Sequence, residues 1–517
     1  MNGHIDTHGA KEDEDEDSPF RFSIWGGLFP IKPDHPDVEA YNGCREDLIH
    51  ILIDQLGSNW LLVSIFRASL EPSGPFKPEP CLVIMVQSEY QCNWRELENC
   101  LRKALHPPAK HLRILFLSGA YDESLTTPKS EEVLCGDLYR EHIHLGKPSG
   151  RDGEMFWPIS SKKGEEIECT GGGVVGLQIG NKTHWGYLTS HTALQKKPPE
   201  KSKINRHGFP VSTLSDTPQF LSPLRTRLMW LLKDWEKRFL YEITRNIRSP
   251  MLLSHRRHRR IDDLFNSPPQ VIEKDMPPPA RLLLASGRVL RDKHIQDWAF
   301  IEMSEQELSM PLSRQNILKP AAQELPTIRY TRSRQDTHFE NGSQLSGFGK
   351  MELGQWYFKS GNKTMSTDGI CNGVTAIGPL RTENVRYDMH GNRIVSTDKR
   401  FFEDFIMFAG AKSRTYTTSE RSQWHQVDFS WLGDAGSWVI DGHRRFCGLL
   451  RGTVGIMLPE RCRDNTRFFR TMGLVSSVDH ILPSIAERAR QDIVVSLNFQ
   501  GDGSSQTCSV CVPLESK

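Results

Sequence analysis

Short apolar runs separated by polar or glycine-rich turns dominate the chain beyond residue 170, and they limit what it can fold into. Runs this short suit strands better than helices, and many strands at close spacing indicate a sandwich or barrel. The 40 Gly and 31 Pro of the 517 residues fit a chain with many turns and argue against a helical bundle. The runs are Gly171–Gly180, Trp185–Ser190, Arg281–Ala285, Trp298–Met303, Gln355–Lys359, Ile370–Ile377, Ser437–Ile440 and Phe446–Leu450.

The region from Tyr41 to Ser118 has a different texture, in which helical and strand patterns alternate. This alternation predicts a small α+β domain. Its expected helices cover Arg45–Ile53 and Asn93–Ala104, and its expected strands are Trp60–Phe66, Cys81–Val86 and Leu112–Leu117.

These patterns divide the chain into five segments. The main β domain is interrupted by an insert at 195–278, with an amphipathic helix capped by Ser222, and by a polar loop at 310–348. The segments are a disordered acidic tail (1–20), an α+β domain (21–127), a charged linker (128–168), the main β domain (169–485) and a C-terminal extension (486–517).

The charge balance and the cysteine pattern indicate which partners and which cell compartment to expect for this chain. With 65 Lys+Arg against 64 Asp+Glu, the chain has no large net charge that would attract nucleic acid or an anionic membrane. The 11 cysteines lack framework spacing, and Cys81, Cys371 and Cys447 lie in apolar runs, as expected of reduced, buried thiols. Neither a secretory leader pattern nor an apolar stretch near 18 residues is found, so we predict a cytoplasmic or nuclear protein that is not secreted and has no membrane partner.

Three short motifs could carry chemistry. Gly433-Asp434-Ala435-Gly436 predicts a tight turn whose backbone N–H groups converge on one point, although a plain hairpin turn would share this pattern. His191 follows one apolar run and Asp297 precedes another. By themselves, they could also be a surface histidine at a strand end and an ordinary acid at a strand start.

Together these motifs resemble the trypsin-like (chymotrypsin-fold) serine peptidase family, whose triad follows the order His, Asp, Ser. Gly433–Gly436 resembles the family's Gly-Asp-Ser-Gly with alanine at the nucleophile position. Gly186–Leu194 resembles the strand ending in Thr-Ala-Ala-His, one residue short, and Asp297–Met303 resembles the Asp-x-Ala-Leu-Ile strand. The resemblance implies that His191 is the general base, Asp297 its orienting acid and Ala435 the degenerate nucleophile position.

The segment Phe358–Val374 is similar to a Lys-x-Gly-x-x-Thr hairpin of intracellular, fungal-type members of this family, with Cys371 where the pattern has valine. The resemblance implies a mainly antiparallel trypsin-like domain of two β-barrels. With the small N-terminal α+β domain and the helical insert that the pattern predicts, the chain is expected to be α+β overall. The resemblance also implies an oxyanion hole formed by the N–H groups of Gly433 and Ala435. Arg451 would line the specificity pocket and favour acidic partners, or else be an exposed rim arginine.

The alanine decides the expected function, because a methyl group cannot be deprotonated or form an acyl-enzyme. We therefore expect a catalytically inactive homologue, a pseudopeptidase, that holds a peptide or protein ligand in the cleft between its barrels. The resemblance implies no cofactor and no metal, and it leaves the oligomeric state open.

Two other functions remain open. The chain could be an active serine endopeptidase or esterase whose nucleophile was mutated to Ala435 or is supplied by another serine, of which Ser437 is the nearest. It could instead be a nuclear interaction protein using the basic run His255–Arg260, which could also be a solvated loop or a partner for the acidic run Glu12–Asp17. Cys508 and Cys511 have the spacing of half a zinc site without a second pair, so we expect a frayed tail there.

Overall fold

The structure, a computed structural model, is dominated by β-strands, which confirms a β-rich fold. The helices in the described part of the chain are α1 (Pro36–Leu56), α2 (Trp94–Ala104), α3 (Val478–Ala489) and a short 3₁₀ helix at Pro107–Ala109. The residues described are 28–68, 78–87, 90, 92–122, 158–161, 169–191, 219–221, 280–287, 289–303, 329–330, 344–361, 365–380, 384–387, 393–396, 401–409, 412–415, 423–426, 429–430, 434–457, 468–497 and 508–514.

The strands within these ranges are short, as the apolar runs predicted. They are β1 (Leu28–Phe29), β2 (Trp60–Ala68), β3 (Glu79–Gln87), β4 (Arg113–Asp122), β5 (Pro158–Ser161), β6 (Cys169–Thr170), β7 (Gly173–Ile179), β8 (Lys182–Thr189), β9 (Gln219–Leu221), β10 (Ala280–Ala285), β11 (Val289–Arg291), β12 (His294–Gln296), β13 (Ala299–Glu302), β14 (Arg329–Tyr330), β15 (Gly347–Phe348), β16 (Trp356–Gly361), β17 (Met365–Cys371), β18 (Ala376–Pro379), β19 (Asn384–Tyr387), β20 (Arg393–Ser396), β21 (Phe401–Ala409), β22 (Lys412–Thr415), β23 (Gln423–Gln426), β24 (Trp438–Asp441), β25 (Arg445–Met457), β26 (Phe468–Ser477), β27 (Ile493–Ser496) and β28 (Ser509–Val512).

The larger sheet has twelve strands, six of which close into an antiparallel ring. Around the ring the order is β16, β17, β21, β26, β25, β24 and back to β16. A sheet that closes on itself is a barrel and has no free edge. The predicted hairpin at 358–374 is confirmed as β16 and β17 of this ring.

The N-terminal strands belong to this same sheet. The 13-residue strand β25 pairs with β24 through its first half and with β4 through its second half. Similarly, β21 extends beyond the ring and pairs with β18, which in turn pairs with β2. The parts of β25 and β21 that extend beyond the ring thus pair with β4 and β18, and hydrogen-bonded pairing runs across the boundary expected at residue 127.

The predicted N-terminal helices and strands are confirmed as α1, α2, β2, β3 and β4. His35 is the N-cap of helix α1, and its Nδ1 accepts from the N–H of Asp37 at 3.3 Å. Asn93 is the N-cap of α2, and its side chain accepts from the N–H of Glu96 at 3.1 Å. The buried side of α1, which includes Leu48 and Leu52, packs in one core with β2, β3 and β4. The helices therefore cover the extended part of the barrel sheet.

The second large sheet has nine strands in the order β28, β27, β7, β8, β13, β10, β9, β5, β6. Its strand β5 lies in the range expected to be a linker, and β27 and β28 come from the range expected to be a C-terminal extension. The expectation of a frayed tail at Cys508–Cys511 is wrong. β28 pairs with β27, Leu497 N–H donates to Cys508 C=O at 3.1 Å, and Val512 is buried.

Helix α3 packs in the core that joins the two sheets. Ile481 and Ile485 of α3 lie in one buried cluster. This cluster also contains Trp298, which directly precedes β13 of the nine-stranded sheet, and Trp438 and Phe446 of the barrel. The rings of Trp438 and Phe446 stack at 4.1 Å, and Trp438 Nε1 donates to Leu188 C=O at 2.8 Å. The ends of β8 and β24 are therefore held together.

Several predicted segments lie outside the described residues: the acidic tail, the basic run 255–260 and the insert apart from β9. The polar loop at 310–348 is described at β14 and from residue 344 on, where β15 pairs with β25. Cys81, Cys371 and Cys447 are free, buried thiols, as predicted. None of the described helices is long and apolar enough to cross a membrane.

Candidate functional site

His191 and Asp297 are neighbours because two strands pair in one register. Strand β8 pairs antiparallel with β13, Thr189 opposite Ala299, and the pairing continues past the strand ends to His191 and Asp297. The N–H of His191 donates to the carbonyl of Asp297 at 3.3 Å. Directly paired residues of an antiparallel ladder project their side chains to the same face, so the structure brings the predicted base and acid together.

Both residues are buried, His191 with 2% and Asp297 with 4% of its surface exposed. The alternative of a surface histidine at position 191 is therefore wrong, while the role of Asp297 stays a prediction. Ser190 Oγ donates to Asp297 Oδ2 at 2.9 Å, and this hydrogen bond satisfies a carboxylate oxygen in a buried place. Ser190 was not among the residues predicted from the sequence; its signal was a hydroxyl directly beside the candidate base.

The position of Asp297 is also fixed through its neighbour Trp298. Trp298 N–H donates to Ser286 Oγ at 2.8 Å, and its ring Nε1 donates to Ser484 Oγ of α3 at 3.0 Å. Trp298 is also fully buried. The backbone at Asp297 is therefore held by Ser286, which directly follows β10, and by helix α3.

The turn that carries Ala435 lies against the end of β8, two residues before His191. Thr170 N–H donates to Ala435 C=O at 3.1 Å, and Thr189 Oγ1 donates to Thr170 C=O at 2.7 Å. Gly436 has a φ of 90°, and a Cβ there would lie 2.2 Å from Thr189 Oγ1 and from Thr170 O. Only glycine fits this close approach, which brings Ala435 into the neighbourhood of the His191–Asp297 pair.

A buried ion pair fastens the same turn from the other side. Lys359 Nζ lies 3.1 Å from Asp434 Oδ2, and neither side chain is exposed. The ammonium also lies 5.5 Å from the centre of the Phe429 ring. Burial lowers the pKa of Lys359, while the Asp434 carboxylate acts in the opposite direction. Lys359 belongs to the hairpin motif, but no role was predicted for it; its signal was a lysine inside the apolar run 355–359.

Backbone hydrogen bonds complete the turn. Gly436 N–H donates to Leu450 C=O at 2.8 Å, and Leu450 N–H donates to Ser437 C=O at 2.9 Å. Ser437 Oγ donates to the carbonyl of Asp434 at 2.5 Å. The turn is therefore tied to β25. Gly433 lies outside the described residues, so the oxyanion hole of Gly433 and Ala435 stays a prediction.

Arg451 is placed differently from what was expected. It has 2% of its surface exposed, its Nε donates to Asp404 Oδ2 at 2.8 Å, and its guanidinium lies 4.8 Å from the centre of the Phe402 ring. The expectation of an exposed rim arginine is wrong, because the apolar strand and an internal carboxylate enclose the side chain. Its place in the lining of a specificity pocket stays a prediction, but Asp404 already neutralises the charge that would select acidic ligands.

Among the described residues, no cluster of three or more His, Cys, Asp or Glu side chains is arranged to hold a metal ion. The candidate site residues that the structure describes are His191, Asp297 and the turn. They place a histidine, a carboxylate and a tight turn carrying the methyl group of Ala435 in one neighbourhood.

Comparisons with known proteins add little to this description. No protein-family model matches the chain, and no curated protein matches it. Among solved structures, the chain is similar to protease A of Thermobifida fusca, with a TM-score of 0.27 and 9% identity over 64% of this chain and 96% of that chain. It is also similar to the Nocardiopsis protease NAPase, with a TM-score of 0.26 and 11% identity over 64% and 96% of the two chains. Similarity at such TM-scores carries no argument about the activity of this chain.

Proposed function

We propose that this protein is a catalytically inactive trypsin-like serine peptidase homologue that acts by binding, as an intracellular recognition or regulatory module. One observation carries the proposal: the turn that a nucleophile would occupy is buried, held by Lys359 and packed against β8, and the residue there is Ala435, 1% exposed. A methyl group cannot attack a carbonyl, and loss of a triad serine lowers turnover by about 10⁶-fold in a well-studied peptidase.

The nearest described serines support inactivity, because each is committed elsewhere. Ser437 is fully buried, and its hydroxyl donates to the carbonyl of Asp434. Ser190 is fully buried and donates to Asp297. A hydroxyl that donates inside the fold is poorly placed to attack a substrate.

The second candidate is an active serine endopeptidase whose nucleophile was replaced by Ala435. One observation favours it: the backbones of His191 and Asp297 are hydrogen-bonded to each other, beside a turn that an ion pair holds in place. A working enzyme would use both features. In both cases the ligand would be a peptide or protein in the cleft between the barrels. A third candidate, a nuclear interaction protein using His255–Arg260, has no support from the described residues.

Fluorophosphonate labelling tests whether the fold contains a site that can activate a serine at position 435. The first two candidates both require such a site. The probe is applied to the protein as it stands, to Ala435→Ser, and to both with His191→Ala. We expect labelling only in Ala435→Ser, and its loss without His191.

Labelling of the unmodified chain would overturn the proposal and show that another serine attacks; Ser437→Ala then identifies or excludes the nearest one. Absence of labelling in Ala435→Ser, with unchanged thermal stability, would mean that the base and the turn do not form a reactive site. If Ala435→Ser labels and also hydrolyses peptides at an enzyme-like rate, the second candidate is the better description.

A further inference from the structure

The hairpin formed by β11 and β12 leads directly into Asp297. Its two-residue turn is made of Asp292 and Lys293, which have left-handed φ values of 48° and 66°, as tight hairpins require. Gln296 ends β12 and immediately precedes Asp297. A movement of this hairpin is therefore transmitted to the candidate orienting acid.

The tip of the hairpin is docked on an N-terminal helix and a barrel strand. Lys293 Nζ lies 3.5 Å from Glu46 Oε1 of α1 and 3.6 Å from Glu403 Oε1 of β21, and 5.1 Å from the centre of the Phe401 ring. Glu403 also pairs with Arg45 of α1 at 2.5 Å. Its N–H donates to the carbonyl of Lys293 at 2.6 Å. Helix α1 thus contacts the segment that carries Asp297.

On its other side the hairpin meets helix α3 through two stacked imidazoles. The rings of His294 and His480 lie 3.7 Å apart with an angle of 22° between their planes. His294 Nδ1 donates to the carbonyl of Glu403 at 2.9 Å, so this nitrogen carries a hydrogen. Ser476 Oγ donates to Ile295 C=O at 3.1 Å and holds the same strand.

Charged groups of both signs face this stack. Arg291 lies 3.6 Å from Asp292 and 3.5 Å from Glu487 of α3, while Asp479 precedes His480 on the helix. The pKa of His480 lies at about 4, below its ordinary value, mainly because the ring is partly buried; His294 and Arg291 act in the same direction, and Asp292 acts in the opposite one. A cluster with two positive and two negative side chains lies at the tip of the hairpin, next to His294. It consists of Lys293, Arg45, Glu403 and Glu46.

We propose that the His294–His480 stack is a proton-sensitive latch that holds the β11–β12 hairpin, and with it Asp297, in place. The latch is closed when the His480 ring is neutral. Protonation of His480 places a partly buried cation against His294 and Arg291, and an opened hairpin lets the charge reach water. This inference concerns the hairpin and does not depend on Ala435 or on a ligand.

The sign of the pH effect follows from linkage. The pKa of His480 in the closed state, about 4, lies below its ordinary value of 6.5, so the open state binds more protons between these two values. Above the ordinary value the latch is closed. As the pH falls through this window, the ratio of open to closed hairpin rises by up to about tenfold per pH unit, and it levels off below the lower value.

The first test measures the titration of the His480 ring itself. A histidine-selective NMR titration of the full chain should show one imidazole titrating well below pH 6.5 and absent in His480→Phe, which keeps a flat ring but cannot take a proton. Titration of His480 at its ordinary value would overturn the proposal.

The second test measures opening itself. Hydrogen exchange of residues 289–303, corrected for its intrinsic pH dependence, should accelerate as the pH is lowered in the unmodified protein and be independent of pH in His480→Phe. His443→Phe, at an exposed histidine on the β24–β25 turn, is the matched control and should respond like the unmodified chain. An equal pH response in His480→Phe, or none in the unmodified protein, would contradict the latch.

The docking by α1 is tested at neutral pH. Glu403→Gln removes the carboxylate that Arg45 and Lys293 share, and hydrogen exchange of 289–303 should rise about two- to fivefold. Glu98→Gln, which breaks an exposed pair with Arg102, should leave that exchange unchanged. Equal exchange in the two variants would remove α1 from the proposal. Failure of Ala435→Ser to label would leave these measurements unaffected, so the two proposals can fail separately.

Discussion

Lys359 Nζ lies 3.1 Å from Asp434 Oδ2 in a place where neither side chain is exposed. Removing two charges from water is expensive, so such a pair adds little stability compared with an apolar pair, but the loss of one partner leaves the other charge buried and alone. The pair joins strand β16 to the turn that carries Ala435. Its main effect is therefore on the place and shape of that turn.

Lys359→Met should lower the free energy of unfolding by about 3–5 kcal/mol, because Asp434 would remain as an uncompensated buried carboxylate. Urea denaturation measures the loss. Arg102→Met, which breaks an exposed pair with Glu98, is the control and should cost about 1 kcal/mol or less. The double variant Lys359→Met/Asp434→Asn should recover part of the loss; a double variant less stable than Lys359→Met would show that the charge of Asp434 is not the cause.

Gly436→Ala should be strongly destabilising, because the left-handed backbone costs about 1–2 kcal/mol for a non-glycine residue and the new methyl would meet Thr189 Oγ1 and Thr170 O at 2.2 Å. Gly180 is the matched control. It has a φ of 60° in the β7–β8 turn, and nothing lies within 4 Å of an added Cβ. Gly180→Ala should therefore show the backbone cost alone in thermal unfolding, and equal losses in the two variants would refute the close packing of Ala435–Gly436 on β8.

Ser190→Ala should cost about 1–3 kcal/mol, because it removes a hydrogen bond to the buried carboxylate of Asp297. Urea denaturation measures the loss, and Ser190→Thr, which keeps a hydroxyl at this position, should recover part of it. A loss as large in Ser190→Thr as in Ser190→Ala would show that the hydrogen bond is not the cause.

Glu302 provides a pH prediction away from the site. Burial acts to raise the pKa of Glu302, but Arg281, at 2.5 Å, and His184, at 2.6 Å, outweigh it, so the pKa lies below its ordinary value of 4.5. A lowered carboxylate pKa stabilises the fold above the ordinary value, and this contribution is lost as the pH falls through the folded-state pKa. The unmodified protein should therefore be more stable than Glu302→Gln at pH 7, with the difference shrinking below pH 4.5. A difference independent of pH would contradict the charge as its cause.

The strand positions and the order of the site residues could be predicted because they depend on local pattern. Apolar runs such as Trp60–Phe66 became strands, and Asn93 capped the helix that comes after it. The positions of His191 and Asp297 relative to strand ends also depend on the neighbouring residues alone. That these two residues are paired was implied by resemblance and not by any local signal.

The features that could not be predicted involve partners that are distant along the chain. Arg451 has the sequence context of a rim residue, and only the closure of the barrel, in which β26 lies between β21 and β25, places Asp404 against its guanidinium. The same is true of Cys508–Cys511, whose polar context suggested a frayed tail until β27 provided a pairing edge. Pairing energies between segments far apart in sequence depend on which strands become neighbours, and this is not a property of either segment alone.

By itself, the sequence determined that this chain forms many short strands, that His191, Asp297 and Ala435 come in that order, and that Ala435 has no hydroxyl. The tertiary structure decided that β8 and β13 pair in the register that sets His191 beside Asp297, and that N-terminal strands complete the barrel sheet. It also decided that Lys359 holds the turn. Local preferences select strands and turns, whereas burial and charge pairing act only between segments that folding has brought together.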